Sequence, residues 1–413
     1  MTDYRILLVS HEMSLSGAPQ SLLRQARYLL DAGYAVSVWT MRPGPLEQRY
    51  AAEGLKVEVV PFDRSDVRRR VETTAPALVV CNTCRTFQFA DLFASLRIPT
   101  IWFIRETGDL KAPFAHDRDF RRVLSTFYSI YTVSEYARDI VAGYNGNVQY
   151  FNNSVPDEYR GPTPPSPVLR FGFIGSTDRR KGLRELLLAF KSAFGNRSDV
   201  AMAIAGAVAG SEEGESLQRH FADMPSVVWK GEVSGEEKRR FFDAIDVICM
   251  PSKDESSGLS LLEGAMYGKA LLATDHVGAK YVVGAENGII VPIERLVDGM
   301  EFFDKRRTEL PAMQRASRQM YLTLATPELE RKNVLRMVEA GMSNPPPESY
   351  PAAKPIRQFF KKTDADADHW RFFILGVPVL KCRKVRWIKR MARRVLGALG
   401  IDVVRLGFSA EEE

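Results

Sequence analysis

The stretch PSKDESSGLSLLEGAM, residues 251–266, sets two acids, Glu255 and Glu263, eight positions apart around a small Gly- and Ser-rich turn. One acid at a helix start is ordinary, because it caps free N–H groups and meets the positive end of the helix dipole. A second acid among Leu261, Leu262, Ala265 and Met266 is not, since a buried carboxylate without a partner is costly. That cost favours a ligand-binding role for Glu255 and Glu263 over a salt-bridged helix acid. Between them, Ser257, Gly258 and Leu259 would aim backbone N–H groups at an anion. Two other turns share this strand–turn–helix form. Ser16-Gly17-Ala18-Pro19 lets backbone approach closely at Gly17 and offers a free helix start. GSTDRRKG, residues 175–182, gathers Arg179, Arg180 and Lys181 where a helix begins, a place unfavourable for a cation unless an anion is near. Each turn alone is common in α/β proteins. Together the three outline a cleft between two domains that would hold a diphosphate.

The elements that must position these turns alternate strand and helix, the pattern of an α/β fold with parallel sheets. Buried strands are expected at Arg5–Ser10, Ala35–Trp39, Ala77–Cys81, Thr100–Ile104 and Ser129–Val133. A Pro/Gly-rich stretch, residues 161–167, reads as a linker. The pattern then restarts, with strands at Val168–Ile174, Ala201–Ala205, Val227–Lys230, Val247–Met250, Ala270–Ala273 and Gly288–Val291. The expected organisation is two doubly wound, Rossmann-like domains, 1–160 and 168–343, followed by a basic tail, 344–413. Ligands of such sheets bind at the carboxyl ends of the strands, where all three turns lie.

Size and composition agree. A chain of 413 residues exceeds what one core usually serves, and 45% hydrophobic with 26% charged residues is ordinary for a soluble protein. No run reaches the roughly 18 apolar residues of a membrane span, and the N-terminus enters a strand pattern without a signal peptide. The four cysteines form no disulfide framework, and Cys81-x-x-Cys84 lacks the second half of a zinc site, so ordinary thiols at a strand end are expected. These features indicate the cytoplasm. The net charge of +6 is gathered after Lys381, which favours a local anionic partner over nucleic acid. Ile388, Met391, Val395 and Leu399 fall on one helical face among those bases. Two readings of this amphipathic helix stand: one lying on an anionic membrane surface, at the inner face of the cell membrane, and a packed, solvated tail helix.

The segments SGAPQSLL, FIGSTDRRKGLRELLLAF and MPSKDESSGLSLLEGAMYGKALLATDHVGAKYVV, with NGIIVP after them, resemble those of GT-B retaining glycosyltransferases, in particular glycosyltransferase family four. The resemblance spans most of residues 1–342 and is sharpest in the E-x(7)-E pattern of Glu255 and Glu263. It implies a GT-B fold, two Rossmann-like domains facing across a cleft, and hexosyl transfer from a nucleotide-diphosphate sugar, UDP- or GDP-linked. The implied acceptor is a hydroxyl of a glycan or lipid-linked molecule in surface polysaccharide or glycolipid synthesis. Residue by residue, it implies that Glu255 contacts donor-sugar hydroxyls and that Ser257, Gly258 and Leu259 line the donor phosphate. Glu263 would bind the ribose hydroxyls, and Lys181 would neutralise the diphosphate. Gly17 would close on the phosphates, and the turn at Glu232-Val233 would face the base.

Two positions depart from the family pattern. Ser176 stands where an arginine is usual, so Arg179 or Arg180 would supply that charge. Arg105 stands where many members carry a histidine, and a guanidinium cannot act as a general base; it could still bind phosphate or acceptor, and for Arg105 and Glu106 an interdomain ion pair is the other reading. His11 ends the first strand, near the expected cleft; it and His116 read as surface or satisfied core residues. The D-x-D-like run Asp364–Asp368 reads as a solvated loop, so no metal or other cofactor is expected. The alternative from another class is a catalytically inactive nucleotide-sugar-binding scaffold or regulator, motivated by Arg105. A nicotinamide-dependent oxidoreductase is disfavoured, because the first strand leads into SLSGAP rather than G-x-G-x-x-G.

Overall fold

The computed structural model describes residues 4–111, 117–162, 164, 166–195, 197–206, 211–348, 360–366, 369–374 and 377–383. The first half is a parallel sheet of β1 (Arg5–Ser10), β2 (Ala35–Thr40), β3 (Val57–Val59), β4 (Leu78–Asn82), β5 (Thr100–Ile104), β6 (Ile130–Thr132) and β7 (Val148–Tyr150), in the order β3-β2-β1-β4-β5-β6-β7. Its helices are α1 (Gly17–Asp31), α2 (Glu47–Ala52), α3 (Arg64–Thr74), α4 (Phe87–Ser95) and α7 (Glu135–Ala142); α5 (Gly108–Lys111) and α6 (Arg118–Thr126) fall between β5 and β6 in sequence. The strands β1, β4 and β5 are apolar almost throughout because both faces are covered. The sequence pattern misses β3 and β7. Both are three-residue edge strands with outward apolar residues, Val59 and Tyr150, so they show no buried run to read.

The second half repeats the plan with β8 (Leu169–Ile174), β9 (Val200–Ala205), β10 (Val227–Gly231), β11 (Val247–Met250), β12 (Ala270–Thr274) and β13 (Gly288–Val291), in the order β10-β9-β8-β11-β12-β13. Its helices are α8 (Leu183–Phe194), α9 (Glu212–His220), α10 (Gly235–Asp243), α11 (Leu259–Met266), α12 (Leu296–Asp304) and α13 (Leu310–Leu324). In both sheets the strand order reverses beside the first strand, β1 or β8, and the crevice at the carboxyl end of such a reversal is the general ligand position. The turns at Gly17, at 175–182 and at 251–258 follow β1, β8 and β11, which border these two crevices.

The last helix of this body, α14 (Pro327–Ser343), falls in the second half by sequence but packs with the first. Val334, Met337 and Val338 share one apolar cluster with Ile6, Leu8, Leu22, Leu78 and Ile101. Gly341 permits that approach: a Cβ there would stand 2.6 Å from Ile101 Cδ1. At the start of α14, Glu330 is fully buried and gathers Arg24 Nε at 2.6 Å, Ser154 Oγ at 2.5 Å and Tyr28 Oη at 3.3 Å. A buried carboxylate with a guanidinium and two hydroxyls keeps its charge satisfied. It ties α14, α1 and the crossing segment after β7 into one joint.

Residues 109–126 and 349–413 form a separate unit. Its described parts include α6 and an antiparallel sheet of β14 (Phe360–Asp366), β15 (His369–Ile374) and β16 (Val377–Arg383). Asp364 and Asp366 therefore lie in a strand, paired with Trp370 and His369, and not in the loop expected from composition. The amphipathic pattern from Ile388 to Leu399, His116 and Asp368 lie outside the described residues. Among the described residues, no helix is long and apolar enough to cross a membrane.

Candidate functional site

The three turns meet. The 3-10 turn Arg179–Lys181 ends at Gly182, whose φ of +70° and contact with the Pro251 backbone exclude a side chain: a Cβ would stand 2.0 Å from Pro251 O. This close approach lays the 175–182 turn along the 251–258 turn. Lys181 Nζ donates to Glu255 Oε2, and Arg180 Nη1 reaches the same oxygen at 3.3 Å and the Asp254 carbonyl at 2.9 Å. The Lys181 and Glu255 side chains are 20% and 14% exposed, so their mutual charge is only partly screened by water. Arg180 thus stands beside Lys181 as a second cation at Glu255. Arg179 turns outward to Glu213, and Ser176 Oγ bonds Asp178 Oδ2 at 2.5 Å.

Glu255 is held at main-chain level too: its N–H donates to His276 O at 2.9 Å and its carbonyl accepts from Gly278 at 2.7 Å. Gly258 then enters the left-handed region at φ +67°, where a Cβ would crowd Val277 Cγ1 at 2.9 Å, and α11 begins at Leu259. Along α11, Leu259, Ser260 and Glu263 are partly exposed while the other five residues are buried. Leu259 and Glu263, four apart, share a face of the helix. Gly17 of α1 joins from the first half, its would-be Cβ 3.7 Å from Leu259 Cδ1.

Glu263 has the partner that its apolar setting demands. Lys238 Nζ on α10 lies 2.7 Å from Glu263 Oε1. Burial raises the Glu263 pKa and Lys238 pulls it back. Val233, in the turn between β10 and α10, is partly buried against the apolar cluster that includes Leu261 and Leu262. An open polar cavity of about 450 Å³ lies at the start of α10, lined by Asp157, Glu158, Tyr159, Arg160, Gly235, Glu236 and Arg239.

The first half clamps the 254–257 turn, a feature the motif did not reveal. Asp254 accepts from Thr107 Oγ1 at 3.0 Å and from Tyr136 Oη at 2.8 Å. Ser134 Oγ, which also caps α7, donates to Ser256 O at 2.6 Å, and Asn153 Nδ2 donates to Ser257 Oγ at 2.6 Å. Burial, then the bond to Asp254, raises the Tyr136 pKa, so the phenol stays a donor at neutral pH. The signal for Asp254 was its place beside Glu255. Thr107, Tyr136, Ser134, Asn153 and Lys238 carry no motif, and only the fold identifies them.

Arg105 is elsewhere. Its guanidinium donates to Asn82 Oδ1 and to Ser21 Oγ at 3.0 Å, and lies 4.2 Å from the centre of the Phe103 ring. All of these partners belong to the first half, and among the described residues Arg105 forms neither an interdomain ion pair nor a hydrogen bond with the Glu255–Lys181 cluster. Burial lowers its pKa to about 9, leaving it charged at neutral pH. Glu106 instead accepts from the N–H groups of Cys84 at 2.9 Å and Arg105 at 3.2 Å. His11 is buried, with Nδ1 3.1 Å from Thr83 Oγ1. Thr83 has φ +86°, a strained geometry for a β-branched residue, at the carboxyl end of β4. Cys81 and Cys84 are buried and not joined in a disulfide.

Comparison with known proteins bears on the family and the fold. Residues 169–303 match the family described as Glycosyl transferases group 1, and residues 3–142 match Glycosyl-transferase family 4. A D-rhamnosyltransferase, WbpZ of Pseudomonas aeruginosa, is 32% identical over 127 residues, which is 30% of this chain and 32% of that protein. The matched stretch thus spans about a third of that relative. A glycosyltransferase from Rickettsia africae superposes with a TM-score of 0.71 at 14% identity, covering 83% of this chain and 100% of the other. Anabaena HepE in complex with UDP-glucose superposes with a TM-score of 0.67 at 15% identity, covering 81% and 99%. With one family match on each Rossmann-like half and the GT-B fold across both, the chain belongs with the group 1/family 4-like glycosyltransferases.

Proposed function

We propose that the chain is a retaining, metal-independent glycosyltransferase. It takes a hexosyl group from a UDP- or GDP-sugar and passes it to a hydroxyl of a glycan or lipid-linked acceptor, in surface polysaccharide or glycolipid assembly. The observation that carries this reading is the convergence of Lys181 and Arg180 on Glu255 in the turn that leads into α11, the helix that also bears the part-exposed Glu263. Two cations and free helix N–H groups suit a diphosphate, and two carboxylates at either end suit hydroxyl donors of a sugar and a ribose. The fold neighbour HepE, captured with UDP-glucose, supports the donor class.

In this reading the C1–O bond to the diphosphate breaks while the acceptor oxygen bonds C1 on the same face, and the acceptor proton passes to the departing phosphate oxygen. The protein positions both partners and stabilises the charge that develops on the leaving group. No general base is required, so the loss of a histidine at Arg105 does not argue for an inactive scaffold. Thermal unfolding in the presence of UDP-, GDP-, ADP- and dTDP-sugars tests the donor. A ligand at 100 times its Kd adds about 2.7 kcal/mol of stability. One of the first two classes should therefore raise the Tm by several degrees, and no shift with any of the four would contradict the reading.

A further inference from the structure

We propose that Lys238 is a positioning residue for the donor: from α10 its ammonium engages one oxygen of Glu263 and leaves the other directed at the vicinal hydroxyls of the nucleotide ribose. This rests on the reading of Glu263 as the ribose ligand. Lys238 Nζ lies 2.7 Å from Oε1 of Glu263, and Oε2 has no protein hydrogen-bond partner among the described residues. The Lys238 and Glu263 side chains are 27% and 19% exposed, so the pair is half-sheltered and one side stays open to a ligand. Lys238 also lies in the first turn of α10, where the helix dipole opposes a cation. A lysine there gains no support from its own helix; Glu263 is the group that holds it.

The other charged groups around Glu263 make Lys238 necessary. Glu158, from the crossing segment, bonds the Tyr267 hydroxyl at 2.6 Å and repels the Glu263 charge. Arg239 on α10 is taken up by Glu236 and Asp243, and Arg318 on α13 by Asp157. Among the described residues, Lys238 is thus the cation that faces Glu263. Without it, burial and Glu158 both favour the protonated acid, which has given up acceptor capacity and meets hydroxyl donors poorly.

The test uses the full chain and titrates UDP and GDP calorimetrically, following the tighter of the two from pH 6 to 9. Lys238→Met should bind about tenfold more weakly at neutral pH, the loss of one charge-assisted contact. The loss should shrink as pH rises and the Glu263 carboxyl ionises. Lys238→Arg should restore most of the affinity, and Lys238→Gln serves if the Met variant does not fold. Wild-type affinity in Lys238→Met or Lys238→Gln, or a loss equal at every pH that arginine does not rescue, would overturn the proposal. Glu263→Ala separates the two levels. Weak binding in Glu263→Ala with normal binding in Lys238→Met removes only the role of Lys238. Normal binding in both removes the ribose reading itself.

Discussion

Replacing Lys181 by Ala is expected to lower kcat by about 10²- to 10³-fold, the usual effect of deleting one pre-placed charge stabiliser. Lys181 stands on a turn that cannot drift. Gly182 locks against the Pro251 backbone, and Asp178 caps the turn by accepting from Arg180 N at 3.0 Å. The ammonium is thereby fixed beside Glu255 before any ligand arrives. A diphosphate entering this face would meet a cation already oriented, with little reorganisation left for the reaction step. Arg180 remains in the variant, so activity should fall without vanishing. The fold should survive, because the Lys181 side chain is partly exposed and no core contact depends on it. Initial rates with saturating donor check this, with the Tm as a control for folding. A kcat within twofold of wild type would remove Lys181 from the chemistry.

Glu263→Ala should act on binding more than on turnover. Hydrogen bonds to a charged group contribute about 1.5–3 kcal/mol, so donor affinity should fall about 10- to 100-fold. The substitution also strands Lys238, which loses its ion-pair partner and would face the proposed donor site as an unpaired cation. A second effect therefore opposes the first: the freed ammonium can attract the diphosphate through space. High salt screens that attraction within about 10 Å at 0.1 M, so the deficit of Glu263→Ala should widen as salt is added. Calorimetry with the nucleoside diphosphate at two ionic strengths measures both parts. An unchanged Kd at both would place the ribose elsewhere.

The central strands and the three turns were legible because their residues obey local rules. β1, β5, β11 and β12 are short, continuous apolar runs, and Gly258 and Gly182 stand where only glycine fits. Glu263 was legible as an anomaly, an acid on an apolar helix. What stayed hidden depends on long-range contact. Helix α14 has no mark that sends it back to the first half; its destination is set by Val334, Met337 and Val338 matching an apolar groove over β4 and β5. The clamp of Thr107, Tyr136, Ser134 and Asn153 on the 254–257 turn consists of ordinary polar residues separated from it by more than a hundred positions. Arg105 shows the opposite case. Its place in the motif pointed to the cleft, but Asn82, Ser21 and the Phe103 ring offered its guanidinium a site inside the first half.

The most direct test of the central claim is the configuration of the transferred sugar. With an α-linked nucleotide sugar as donor and water or a simple alkyl glycoside as acceptor, proton NMR reads the anomeric signal of the first product. The proposed reading, with Lys181 and Arg180 at the leaving group and attack on the same sugar face, predicts that the α-anomer appears first, at a rate unchanged by EDTA. A β-anomer as first product, or a rate abolished by the chelator, would contradict it.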